Sequence, residues 1–215
     1  QGGYLFAGLT ALGFTLLMLL YEGPASTVPD SGFVPKPLKP GLRPIAVILM
    51  GVLFVSCSGM GFAFMFTIAL DLGMEYSSAG SFIGGLVLVS ALACQVGGWC
   101  GARFGPLRPL AFAFVTCAAG WWLAINAQSQ LVFMMALVPA IFSLQFNFPI
   151  LLALSGSLDD DGQWAAIATP LITSGFAWAA IMAGIIVSRW DLAALGTATA
   201  LGMLVCLLLL IPARA

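Results

Sequence analysis

Seven long apolar runs organise the chain, at residues 4–21, 45–70, 80–101, 109–126, 131–155, 164–188 and 192–211. None of them contains Asp, Glu, Lys or Arg. A helical crossing of a bilayer needs about 20 apolar residues, and a charge at the bilayer centre costs roughly 2.5–3.5 kcal/mol on insertion scales. The pattern therefore predicts an all-α integral membrane protein with seven transmembrane helices. Tyr21, Tyr76, Trp164 and Trp190 flank the runs, where amphipathic rings anchor at the membrane–water boundary.

The gaps between runs give the organisation. Most are short. The first holds six prolines, Pro24, Pro29, Pro35, Pro37, Pro40 and Pro44, and reads as an extended, semi-rigid spacer. The chain divides into one helix (1–21), a linker (22–44) and a six-helix bundle (45–215). It begins at Gln1 and enters an apolar run almost at once, without the basic stretch of a secretory signal. The expectation is a chain that starts partway through a longer protein.

Charge adds orientation. Successive gaps lie on alternate sides of the membrane. Lys36, Lys39, Arg43, Arg103, Arg108 and Arg214 share one side, and Arg189 alone is on the other. The positive-inside rule places the linker and the C-terminus in the cytoplasm of a multi-pass protein, expected in the cell (inner) membrane.

Composition excludes several classes. The chain is 61% hydrophobic and 7% charged, against about 25% charged for soluble domains. Its net charge of −1, with no basic stripe, excludes nucleic acid as a partner. There is no histidine, so the commonest general base and metal ligand is missing. Cys57, Cys94, Cys100, Cys117 and Cys206 lie within runs and form no Cys-x-x-Cys pair, so they read as small hydrophobes. No enzyme, metal or cofactor is expected. A serine or cysteine nucleophile has no base beside it, and no run carries a lysine for a retinal Schiff base.

The gap after the third run reads Gly97-Gly98-Trp99-Cys100-Gly101-Ala102-Arg103-Phe104-Gly105-Pro106-Leu107-Arg108-Pro109. This resembles the signature loop of the major facilitator superfamily, matched at Gly98, Arg103, Gly105 and Arg108 and departing from it at Ala102, where the family has an acid. One helix, a long cytoplasmic linker and six more helices resemble helices 6–12 of a twelve-helix transporter of that family. The resemblance implies secondary active or facilitative transport of a small molecule by alternating access, with the N-terminal half as the missing partner. It also implies that the chain is not competent alone. With Ala102 the family's cytoplasmic lock is weakened. Either Arg103 or Arg108 pairs with the Asp159-Asp160-Asp161 run, or one of these acids caps the helix starting near Trp164. A non-transporting structural or assembly subunit of a membrane complex is the alternative.

Polar residues inside the runs are the candidate contacts, because hydrocarbon offers them no partner. The fifth run holds Phe142, Gln145, Phe146 and Asn147 before Pro149, which cannot donate to the Gln145 carbonyl. Interrupted helices at mid-depth point to transporter binding sites. Gln145 and Asn147 stand about 200° apart on an ideal helix, so one of them faces a cavity or both bond between helices. Ser56, Ser58, Ser90 and Trp178 complete the candidates, and the resemblance implies that the helices carrying Ser56 and Gln145 line the central cavity. No carboxylate lies in a run, so either the missing half carries a coupling residue or transport is not proton-coupled. The amide, hydroxyl and aromatic groups suit a neutral, partly apolar substrate, or one whose charge is met by the other half. Membrane lipid surrounds the whole. Two rows of small residues, Gly97-Gly101-Gly105 and Gly175-Ala179-Ala183, read as packing seams.

Overall fold

The computed structural model describes residues 41–159 and 162–213. Six helices account for nearly all of them: α1 (Leu42–Asp71), α2 (Tyr76–Phe104), α3 (Leu107–Ile125), α4 (Gln130–Gly156), α5 (Gln163–Arg189) and α6 (Leu192–Ala213). All six are long and apolar enough to cross a bilayer, the make-up of a multi-pass membrane protein. Among the described residues there is no strand. Each helix matches one predicted run within a few residues. The predicted run 4–21 and the first part of the linker lie outside the described residues.

Local chemistry sets the ends. Gly105 closes α2 at φ 76°, a conformation that L side chains rarely adopt, which gives the motif glycine its physical reason. Ser129 caps α4, accepting from the Val132 N–H at 3.4 Å, and Asp191 caps α6, accepting from the Ala194 N–H at 2.6 Å. Asp159 Oδ2 accepts from the N–H groups of Gln163 and Trp164 at 2.9 and 3.3 Å, holding the start of α5. Asp159 therefore serves as the helix-start acid. Asp160 and Asp161 lie outside the described residues. Asp159→Ala is expected to cost about 1 kcal/mol, read as faster amide exchange in the first turn of α5. Exchange at the wild-type rate would mean that the cap contributes nothing.

Six helices make two rows. The front row runs α5, α1, α4, α2, each packed on the next, and α6 and α3 stand behind α1 and α4. The most extensive pairings are α1 with α5 and α6, α4 with α2 and α3, and α3 with α6. Exchanging α1-α2-α3 for α4-α5-α6 maps this set onto itself. Short connections make successive helices antiparallel, so the two three-helix sets run in opposite directions.

Where the rows meet, the core is apolar and tightly filled. Phe54 tilts against Phe114 at 5.2 Å between centroids, and Phe62 against Trp121 at 5.5 Å. Cys57, Cys117 and Cys206 are buried free thiols. Cys117 Sγ lies 3.7 Å from the Ala140 carbonyl and from Ser58 Oγ. The front-row crossings use the small residues read from the sequence. Gly97 lets the Phe146 carbonyl of α4 rest directly on α2. Gly175 of α5 does the same for the Val52 carbonyl of α1. Gly105 belongs to neither seam, since a side chain added there would meet nothing within 4 Å. Prolines sit inside helices at Pro139 and Pro149 of α4, Pro170 of α5 and Pro212 of α6.

Candidate functional site: the open front of the helix row

The side of α1 and α4 turned away from α6 and α3 is the front. On α4 it carries Leu131, Val138, Gln145 and Pro149, exposed or half-buried. On α1, Ser56 lies at the α5 crossing, its hydroxyl beside Gly175. Ser56 stands at the middle of α1, and Gln145 within one turn of the middle of α4. Both therefore lie near mid-depth, Gln145 on the open face of α4 and Ser56 against α5.

The exposed surface of each flanking helix carries a run of small residues and a run of bulky ones. On α2, Ser77, Gly84, Ala91, Gln95, Gly98 and Ala102 form an exposed stripe of small and polar residues. Leu92, Val96 and Trp99 form a bulky flank, 60, 52 and 57% exposed, while Leu88, 76% exposed, falls on the stripe itself. On α5 the stripe is Ala166, Thr173, Ala177, Ala180, Gly184 and Ser188, and the bulky flank is Leu171, Trp178, Met182 and Ile185. At about 100° per residue, each stripe lies about 120° round the helix from the buried seam, in the same rotational sense on both helices. Hydrocarbon chains fill around bulky side chains, whereas small residues let another helix approach. The stripes border the front, and the bulky flanks turn away from it.

The remaining candidates separate accordingly. Asn147 points back toward α3, fully buried, with neither its amide oxygen nor its nitrogen bonded. Ser58 is buried against Cys117. Ser90 is buried, and its hydroxyl donates to the Val87 carbonyl at 2.6 Å. Phe146 packs at the α2 crossing, and Phe142 sits between α2 and α4, lining a cavity of about 400 Å³ toward the end away from the arginines. Trp178, 61% exposed, lies on the bulky flank of α5, apart from the open face that carries Gln145.

No family model and no curated protein matches the chain.

At the arginine-bearing end, the motif loop is built around aromatic rings. The Arg103 guanidinium lies 5.5 Å from the Trp99 ring and 5.9 Å from the Phe104 ring. Arg43, in the first turn of α1, reaches a cavity of about 430 Å³ bounded by Gly98, Gly101, Pro106 and the last turns of α4, and its Nε is buried without a partner. The two small-residue stripes are what sequence reading missed. Their signal was side-chain volume at helical spacing rather than hydropathy.

Proposed function

We propose that the chain is the C-terminal half of a secondary transporter of the major facilitator type, moving a small, neutral, partly apolar molecule by alternating access. The observation that carries this reading is the inverted pairing of the two three-helix sets around an open front. Transporters built from inverted repeats bind substrate near the bilayer midplane and rock one half against the other. Here the front presents Gln145 near mid-depth, with Ser56 at the adjoining α1–α5 crossing. In this reading a second six-helix half covers the front, the linker and C-terminus are cytoplasmic, and the protein resides in the cell membrane.

The reading has a direct test. The full-length gene product should carry about five further spans upstream of Gln1 and should transport solute in reconstituted vesicles, while the 215-residue chain alone should give no saturable flux. Saturable flux from the isolated chain, or an upstream sequence without spans, overturns the proposal. The second result would favour an assembly subunit.

A further inference from the structure

α2 and α3 both pack extensively on α4 but barely meet each other. The crevice between them, floored by α4, opens on the flank of the bundle. Its inner part is a cavity of about 280 Å³ whose lining includes Leu92 and Val96 of α2, Phe112 and Thr116 of α3, and Phe142 and Phe146 of α4. A second cavity of about 400 Å³ adjoins it toward the motif loop, sharing Phe112 and Phe146 and adding Cys100, Phe104 and Arg108. From Thr116 to Arg108 the groove follows about 12 Å of helix. The Thr116 hydroxyl is already bonded to the Phe112 carbonyl at 2.9 Å, so it makes no demand on an occupant.

We infer that this groove binds one acyl chain of an anionic phospholipid, with the lipid phosphate at Arg108. Three features select that occupant. The groove lies on the bulky flank, where Phe112 is 72% exposed, so its filling is hydrocarbon. Its one charged lining residue stands at the mouth, at the end of the helices, where a headgroup would sit. Arg103 adds a second cation there, its guanidinium over the ring of Phe104, which itself lines the mouth. Two cations with no carboxylate among the lining residues favour an acidic headgroup over a zwitterionic one. On the orientation proposed above, this mouth lies in the cytoplasmic leaflet, where anionic lipids carry the surface charge. The inference needs that orientation but does not need transport.

Native mass spectrometry of the purified 215-residue chain, exchanged with equal phosphatidylglycerol and phosphatidylcholine, tests it. The wild type should retain phosphatidylglycerol in preference. Arg108→Gln should cut that preference about fivefold, the worth of one cation near an anionic surface. Val96→Trp, which fills the groove, should lose both lipids, while Leu88→Trp, exposed on α2 outside the groove, should retain them. Excess inorganic phosphate should not displace the lipid. Equal retention of the two lipids, an unchanged preference in Arg108→Gln, equal loss in both tryptophan variants, or displacement by phosphate alone would each overturn the proposal. Absence of transport by the full-length gene product, with lipid retention by the 215-residue chain intact, would count against the transporter reading only.

Discussion

Gly97→Ala is expected to lower the unfolding temperature sharply in detergent, while Gly98→Ala, one residue along, leaves it unchanged or slightly higher. A methyl group at residue 97 would overlap the Phe146 carbonyl oxygen, which is backbone of an adjacent helix and cannot rotate away. Overpacking of this kind costs about 1–3 kcal/mol, more than the roughly 1 kcal/mol that alanine gains over glycine in a helix. At residue 98 a methyl group meets nothing within 4 Å, so only the gain remains. Gly175→Ala should follow Gly97→Ala, because its new carbon would sit 2.8 Å from the Val52 carbonyl oxygen and 3.0 Å from Ser56 Oγ. Near-UV circular dichroism melts of the three variants decide the matter. Equal melting of Gly97→Ala and the wild type would mean that α2 does not cross α4 this closely.

Gln145→Leu and Asn147→Leu should have opposite consequences. Gln145 is half-buried on the open front, so its loss should leave melting unchanged and reduce transport by the full-length protein at least about tenfold, the equivalent of 1.4 kcal/mol. Asn147 is fully buried with both amide atoms unbonded. An unsatisfied buried polar group costs about 1–3 kcal/mol, so a leucine of similar volume should raise the melting temperature. Destabilisation by Asn147→Leu would mean that the amide is bonded in the folded protein, through water or a neighbouring helix. Unimpaired transport by Gln145→Leu would remove Gln145 from the site.

The six described helices were legible because charge exclusion is a strong rule in hydrocarbon: a single Asp or Arg within a run would have broken the pattern. The site was legible only in part. Spacing separated Gln145 from Asn147 but could not tell which faces the core. That depends on a tertiary fact, the close approach of Gly120 in α3 to Ala140, which shares a face of α4 with Asn147. Trp178 shows the same limit of spacing: sequence places it at mid-depth, and the fold leaves it 61% exposed on α5. Hydropathy gives the same value to a surface wetted by lipid and a surface that receives another helix, so an aromatic ring at mid-depth looks like a cavity residue. Side-chain volume separates the two only in part: Leu171, Trp178, Met182 and Ile185 of α5 share one side, but Phe176 and Ile181, 42 and 56% exposed, border its small residues. Ser58 and Ser90 illustrate the local alternative, with hydroxyls engaged by a neighbouring thiol and by the serine's own helix.

The prolines inside α4 and α5 have a consequence for what the front can recognise. Each lacks an N–H, so Pro139, Pro149 and Pro170 deprive the carbonyls of Met135, Gln145 and Ala166 of their helical donors. All three of those residues are exposed or half-buried toward the open side. The hydroxyls of Thr169, Thr173, Ser174 and Ser188 on α5 all point their protons at carbonyls of their own helix, leaving only lone pairs outward. The surface thus gains acceptors at these carbonyls, while its donors are concentrated in the carboxamides of Gln95 and Gln145. On the proposed reading, a solute carrying hydroxyl or amine protons would find acceptors along it.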